Sequence, residues 1–159
     1  MNLSFLLWVI PAYIANSTAT FSKFLPWKRH PVDFGRKWVD GRRILGDGKT
    51  FEGIIIGTTL GALSGYLIFP LFNLHYNPVL IALGALLGDM VGSFAKRRLD
   101  LPRGSPAPVL DQLDFILGAL MLAGPFTAQE TALIIIITPI IHRVANIIGY
   151  LIGVKNEPW

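Results

Sequence analysis

Apolar positions along the chain gather into long runs, and the charges fall between them. Residues 1–22 carry no charged side chain, nor do residues 53–88, and between Phe115 and Ile141 the only charge is Glu130. A helix crossing a bilayer needs roughly 20 mostly apolar residues. With no water to satisfy its backbone, the spanning segment is helical by default. The run from 53 to 88 is too long for one crossing. Its middle is polar and helix-breaking (Pro70, Asn73, His75, Asn77, Pro78), which predicts two helices joined by a short turn. The C-terminal stretch divides near Gly124-Pro125, where Thr127 and Glu130 have the spacing of a capping box. The pattern predicts an all-α, polytopic integral membrane protein. It forms a single transmembrane domain over 1–159 with five helices at about 2–22, 53–70, 78–96, 111–124 and 128–151, separated by loops 23–52 and 97–110.

Composition agrees. Apolar residues make up 52% and charged residues 15%, with a mean hydropathy of +0.53. Soluble domains carry about 25% charged residues, and disordered chains combine low hydrophobicity with high charge, so both classes are excluded. Cysteine is absent, which removes disulfides, thiol nucleophiles and thiolate metal sites. The basic residues fix an expected topology. Lys23, Lys28, Arg29, Arg36, Lys37, Arg42, Arg43 and Lys49 lie between the first two helices, and Lys96, Arg97, Arg98 and Arg103 between the third and fourth. Lys155 follows the fifth, while 71–77 and 125–127 have none. The excess of Lys and Arg on one side predicts an outside N-terminus, cytoplasmic 23–52 and 97–110 loops, and a cytoplasmic C-terminus. Lys23 follows the first apolar stretch rather than preceding it, so that stretch is expected to be a retained helix and not a cleaved signal peptide.

Gly53, Gly57, Gly61 and Gly65, and then Gly84, Gly88 and Gly92, recur every fourth residue. Such rows put small residues on one helix face and let backbones approach closely, so they are expected to pack helices rather than do chemistry. Other polar positions point to a site. Asp89 stands inside the third helix, where an uncompensated carboxylate is costly and usually functional. Ser93 shares its face and Lys96 lies a turn further on. Asp111 and Asp114, three apart, share a face at the start of the fourth helix. His142, Arg143 and Asn146 lie at a similar depth in the fifth helix, and Asn16 in the first. Three carboxylates near one membrane surface, with oxygen ligands only, suit Mg²⁺ shared with substrate phosphates. Two alternatives stay open: Asp111 and Asp114 as helix caps, and Asp89 as the ion-pair partner of Arg143 or Lys96. Gly46-Asp47-Gly48-Lys49-Thr50 is not a Walker A loop, because Arg43 stands where the first glycine is required. It can still present backbone N–H groups and Lys49 to a phosphate. Carboxylates, Mg²⁺ and cations where helices meet headgroups suit phosphoryl or nucleotidyl transfer to a lipid.

Gly88-Asp89-Met90-Val91-Gly92-Ser93-Phe94-Ala95-Lys96-Arg97, followed by Asp111-Gln112-Leu113-Asp114, resembles the signature of membrane CTP:phosphatidate cytidylyltransferases. Pro11-Ala12-Tyr13-Ile14-Ala15-Asn16, Asp33-Phe34-Gly35, Asp40-Gly41-Arg42 and Gly46 to Gly53 are similar to the archaeal branch of that superfamily, the CDP-archaeol synthases. The resemblance implies Mg²⁺-dependent transfer of CMP from CTP to an unsaturated archaeal ether-lipid phosphate, a digeranylgeranylglycerol phosphate, giving CDP-archaeol and pyrophosphate. It implies Asp89, Asp111 and Asp114 as metal or catalytic carboxylates, with Lys96 beside them. It implies Ser93, Arg97, Lys49, Thr50, Asn16 and Arg43 as substrate contacts. The partners would be CTP, the isoprenoid ether-lipid phosphate and membrane lipid, with no nucleic acid. Gln112 departs from the bacterial and eukaryotic Arg, and Ala107-Pro108-Val109-Leu110 replaces a His-Gly-Gly element, leaving parts for His30, Arg103, Ser105 and Arg143 open. A small transporter or channel with an Asp89/Arg143 pathway is the alternative from another class.

Overall fold

The computed structural model describes residues 3–26, 28–102, 105–124 and 126–153. Arg103, Pro125 and Lys155, used above, lie outside the described residues. The described residues form helices and no strand, with two isolated backbone bridges, Pro31 to Thr50 and Lys37 to Arg43. Helix α1 is Ile10–Ala19, flanked by 3-10 turns Leu3–Val9 and Thr20–Phe24. Helix α2, Phe51–Ile68, runs on into a 3-10 turn Phe69–Phe72; α3 is Pro78–Arg98, α4 is Leu110–Ala123 and α5 is Ala128–Leu151.

The caps explain the boundaries. The Thr50 hydroxyl accepts from the Gly53 N–H and starts α2 before Glu52, the charge that delimited the run in sequence. Asn77 accepts from Val79 and Leu80, with Pro78 in the first turn, and starts α3. Thr127 and Glu130 form the complete capping box of α5. Over the stretch expected as a helix at about 2–22, the described residues are helical from Leu3 to Phe24, α-helical over Ile10–Ala19 and 3-10 on either side. Pro11 lacks an N–H to donate, and the Thr18 and Thr20 hydroxyls donate to the Ile14 and Ser17 carbonyls at 2.6 and 2.7 Å, competing with the regular ladder.

Among the described residues, three helical segments are long and apolar enough to cross a membrane: Phe51–Phe72, Pro78–Arg98 and Ala128–Leu151. At 1.5 Å per residue, α4 extends only about 21 Å. It is held instead by its neighbour. A Cβ on Gly84 would lie 2.6 Å from the Gly118 carbonyl oxygen, and one on Gly88 would strike the Asp114 carbonyl. The row on α2 does the same against α1: added carbons on Gly57 and Gly61 would meet the Ala15 and Pro11 carbonyl oxygens at 2.7 and 2.6 Å. The glycine rows therefore pair α2 with α1 and α3 with α4 at near backbone contact. Away from the loop-bearing end, Trp8 is fully buried, stacked on Phe126 at 4.2 Å and tilted against Tyr76 at 6.2 Å. This cluster ties the start of the chain to the α2–α3 and α4–α5 turns. Helix α5 carries the least buried of the three long apolar segments.

Candidate active site

At the other end the helices part around a cavity of about 370 Å³. Its walls come from the end of α1 (Tyr13, Asn16, Ser17, Thr20), the entry to α2 (Gly48, Lys49, Thr50), α3 (Leu86, Asp89, Met90), α4 (Asp111, Asp114) and α5 (His142, Asn146, Gly149). Lys49 Nζ pairs with Asp89, although the two are 40 residues apart in sequence. Lys96 Nζ pairs with Asp111, whose other oxygen accepts from the Ala107 N–H at 2.9 Å. Val109, just before α4, takes φ 71°, a strained choice for a β-branched residue. Asp114 differs from both. It is 8% exposed, and Oδ1 accepts from the Phe115 N–H at 2.6 Å. Among the described residues no cation pairs with it. Its side chain lies where Gly92 has none, since a Cβ there would collide with the carboxylate.

Lys49 is aimed by a folded loop. The Asp33 side chain is completely buried and collects five donors: the backbone N–H groups of Gly35, Leu45 and Gly46 at 3.0, 3.0 and 2.9 Å, and Arg43 Nε and Nη2 at 3.2 and 2.8 Å. Burial alone would raise its pKa, but Arg43 and then the three N–H groups outweigh that and hold it well below the usual carboxylate range. A depressed pKa stabilises the fold above the unfolded value and loses that stabilisation only as pH falls through the lower folded value, so the loop is indifferent to pH near neutrality. Val32 N–H donates to the Lys49 carbonyl at 2.8 Å, and Arg98 fastens the loop to α3 through Asp40 Oδ2 at 2.9 Å and the Arg43 carbonyl at 2.7 Å. Removing one partner of a buried pair costs about 3–5 kcal/mol. Asp33→Ala is therefore expected to melt the 28–50 loop before the helices. Limited proteolysis within that loop should become fast while the circular dichroism of the bundle is kept; a loop as resistant as wild type would remove Asp33 from this role.

The sequence-expected residues divide. Asp89, Asp111, Asp114, Lys49, Thr50 and Asn16 line one cavity, and Lys96 reaches it through Asp111. Ser93 and Arg97 do not line it. Arg43, expected at substrate, is instead held by Asp33 and by Asp47 at 2.8 Å. His30 is engaged by Glu52 at 2.7 Å outside the cavity, and Ser105 is also outside its walls. Asp89 pairs with Lys49, neither of the partners weighed from sequence. The three acids do not form a ready-made cage: among the described residues no three acidic, histidine or cysteine groups gather closely enough to hold an ion alone. Their charge is instead offset pair by pair, since two of the acids are each taken by an ammonium. Sequence reasoning missed Tyr13, Ser17, Thr20 and the structural part of Asp33. The Asp-x-Gly spacing, in which an Asp accepts from the N–H two residues on, was the available signal for the last.

Comparison with known proteins gives the family. The sequence pattern of the CarS-like family, described as CDP-archaeol synthase, matches residues 1–159. The chain is 46% identical to the CDP-archaeol synthase of Pyrobaculum aerophilum over 98% of this chain and 97% of that one. It is 48% identical to that of Pyrobaculum arsenaticum, over 97% and 95%. It is 43% identical to that of Methanococcoides burtonii, over 95% and 100%. A solved structure described as "Structural insight into an intramembrane enzyme for archaeal membrane lipids biosynthesis" superposes with a TM-score of 0.76 at 42% identity, covering 89% of this chain and 92% of that one. The chain belongs to the CDP-archaeol synthase family, membrane-embedded cytidylyltransferases of archaeal lipid biosynthesis.

Proposed function

We propose that the protein transfers CMP from CTP to an isoprenoid ether-lipid phosphate, the digeranylgeranylglycerol phosphate, in an Mg²⁺-dependent reaction at the cytoplasmic face of a five-span, N-outside bundle. The observation that carries this reading is the single cavity in which Lys49, Asp89, Asp111 and Asp114 meet between apolar helices. An oxygen of the lipid phosphate attacks the α-phosphorus of CTP. The new bond is phosphate oxygen to Pα, the bond that breaks joins Pα to the oxygen bridging to Pβ, and pyrophosphate leaves with that electron pair. The acceptor is a monoester dianion, so no general base is required to create the nucleophile.

Lys49 and Lys96 bring positive charge to a site receiving two polyanions, and Asn16 and Thr50 present uncharged hydrogen-bonding groups. Ile54, Leu86, Met90 and Ile152 give the same walls an apolar side. Asp89, Asp111 and Asp114 are the residues that would hold Mg²⁺. Such sites commonly use one or two carboxylates completed by phosphates and water, which fits acids that share a cavity without forming a closed cage. Bound there, the ion would offset negative charge on the triphosphate.

The test is pyrophosphate release by the purified full-length protein in detergent, with CTP, Mg²⁺ and the geranylgeranyl ether-lipid phosphate. ATP, GTP and UTP arms and an EDTA arm complete it. Release should require CTP, lipid and metal together. Folded protein that releases none with any nucleotide would sink the reading.

A further inference from the structure

A second cavity, also of about 370 Å³, adjoins the first and shares Asp111, His142 and Asn146 with it. Helix geometry separates the two. Successive residues advance about 100° around a helix axis. On α4, Asp111 is common to both cavities, Asp114 on one flank faces the first, and Gln112 on the other flank faces the second. On α5, His142 and Asn146 are common, Ala145 and Ile152 on one flank face the first, and Arg143 on the other faces the second. The 106–108 segment closes the floor with Pro106, Ala107 and Pro108, which bring no charge. Of the groups lining only the second cavity, Arg143 is the charged one. It stands inside the apolar helix α5 and, among the described residues, forms no ion pair. Arg143 is exposed, and the one acid of the shared wall, Asp111, is taken by Lys96, so the guanidinium is open to an anion from outside the chain. A guanidinium matches a phosphate by bidentate hydrogen bonding, and the Gln112 amide adds a neutral donor.

We infer that the second cavity receives the phosphate monoester of the lipid acceptor, with Arg143 and Gln112 as its contacts, while the nucleotide occupies the first. The inference rests on the transfer reading for the identity of the two substrates. Attack in line needs nucleophile and leaving group on opposite sides of the α-phosphorus, and two cavities flanking one wall supply two directions of approach. An oxygen of the phosphate held by Arg143 forms the bond to Pα, and pyrophosphate departs on the first-cavity side.

The experiment measures lipid-phosphate and CTP binding separately, by titration calorimetry on the full-length protein in detergent, together with KM for each in turnover. Arg143→Gln should weaken lipid-phosphate binding and raise its KM about tenfold or more, leaving CTP binding at the wild-type value. Gln112→Ala should do the same to a smaller degree, and decides the matter if Arg143→Gln does not fold. Inorganic phosphate at millimolar concentration should compete only weakly, since it lacks the tails; competition equal to the lipid's would assign the cavity to free phosphate and overturn the inference. Unchanged lipid binding and KM in both variants, or a loss of CTP binding instead, would also overturn it. The outcomes separate the two readings: Arg143-dependent lipid binding without CTP turnover rejects the transfer and keeps the cavity. Turnover indifferent to Arg143 and Gln112 keeps the transfer and rejects the cavity.

Discussion

Asp114→Asn is expected to abolish turnover, by about a hundredfold or more, while leaving the protein at least as resistant to heat as wild type. The combination follows from the surroundings of Asp114. It is buried, its Oδ1 takes one backbone N–H, and no described cation compensates it, whereas Asp89 and Asp111 each have a lysine. A buried charge without a partner destabilises a fold, so removing the charge and keeping the shape should relieve the bundle. A group kept at such a cost is kept for what it binds. Turnover and thermal unfolding in the same detergent check both halves. Wild-type turnover would remove Asp114 from the site, and a large drop in unfolding temperature would make it a structural residue.

Gly92→Ala should approach the same loss by displacement. The added methyl falls on the Asp114 carboxylate, and the neighbouring backbones cannot retreat because Gly88 and Gly118 already touch across the α3–α4 interface. Misplacing a reacting group by about 1 Å costs on the order of a hundredfold. Gly124→Ala is the milder comparison away from the carboxylate, because its methyl would meet the Leu120 carbonyl oxygen at 3.2 Å rather than collide with it. Combined with Asp114→Asn, Gly92→Ala should add little further loss, since both act on one carboxylate. Fully multiplicative losses would show that Gly92 acts elsewhere.

Helix positions and glycine rows could be read from the sequence because they depend on local patterns: apolar run length, a four-residue repeat, and cap residues such as Asn77 and Thr127. The same patterns did not say which helices the rows join. Spacing places Gly57 and Gly61 on one face, but only the fold sets Pro11 and Ala15 against it. The change from α to 3-10 geometry within the first helical stretch was not legible, because apolar content is blind to hydroxyls that take up carbonyls, as Thr18 and Thr20 do. The acids of the site were legible as charges where charge is expensive. Their partners were not, since Lys49 reaches Asp89 across 40 residues of chain. Nor were the partners of Arg43 legible: a cation in a basic loop gives no sign in sequence that the fold buries Asp33 against it.

The contact of Gly84, Gly88 and Gly118 also bears on temperature. Where backbone meets backbone, no rotamers are frozen, so the interface that carries Asp114 forgoes the side-chain entropy term that grows with heating. The loop that aims Lys49 rests on the Asp33–Arg43 pair, and the desolvation cost of such pairs falls as temperature rises. These two supports therefore lose less on heating than side-chain packing does, and thermal inactivation should begin at the wall that the little-buried α5 supplies rather than at the α3–α4 contact or the Asp33 loop.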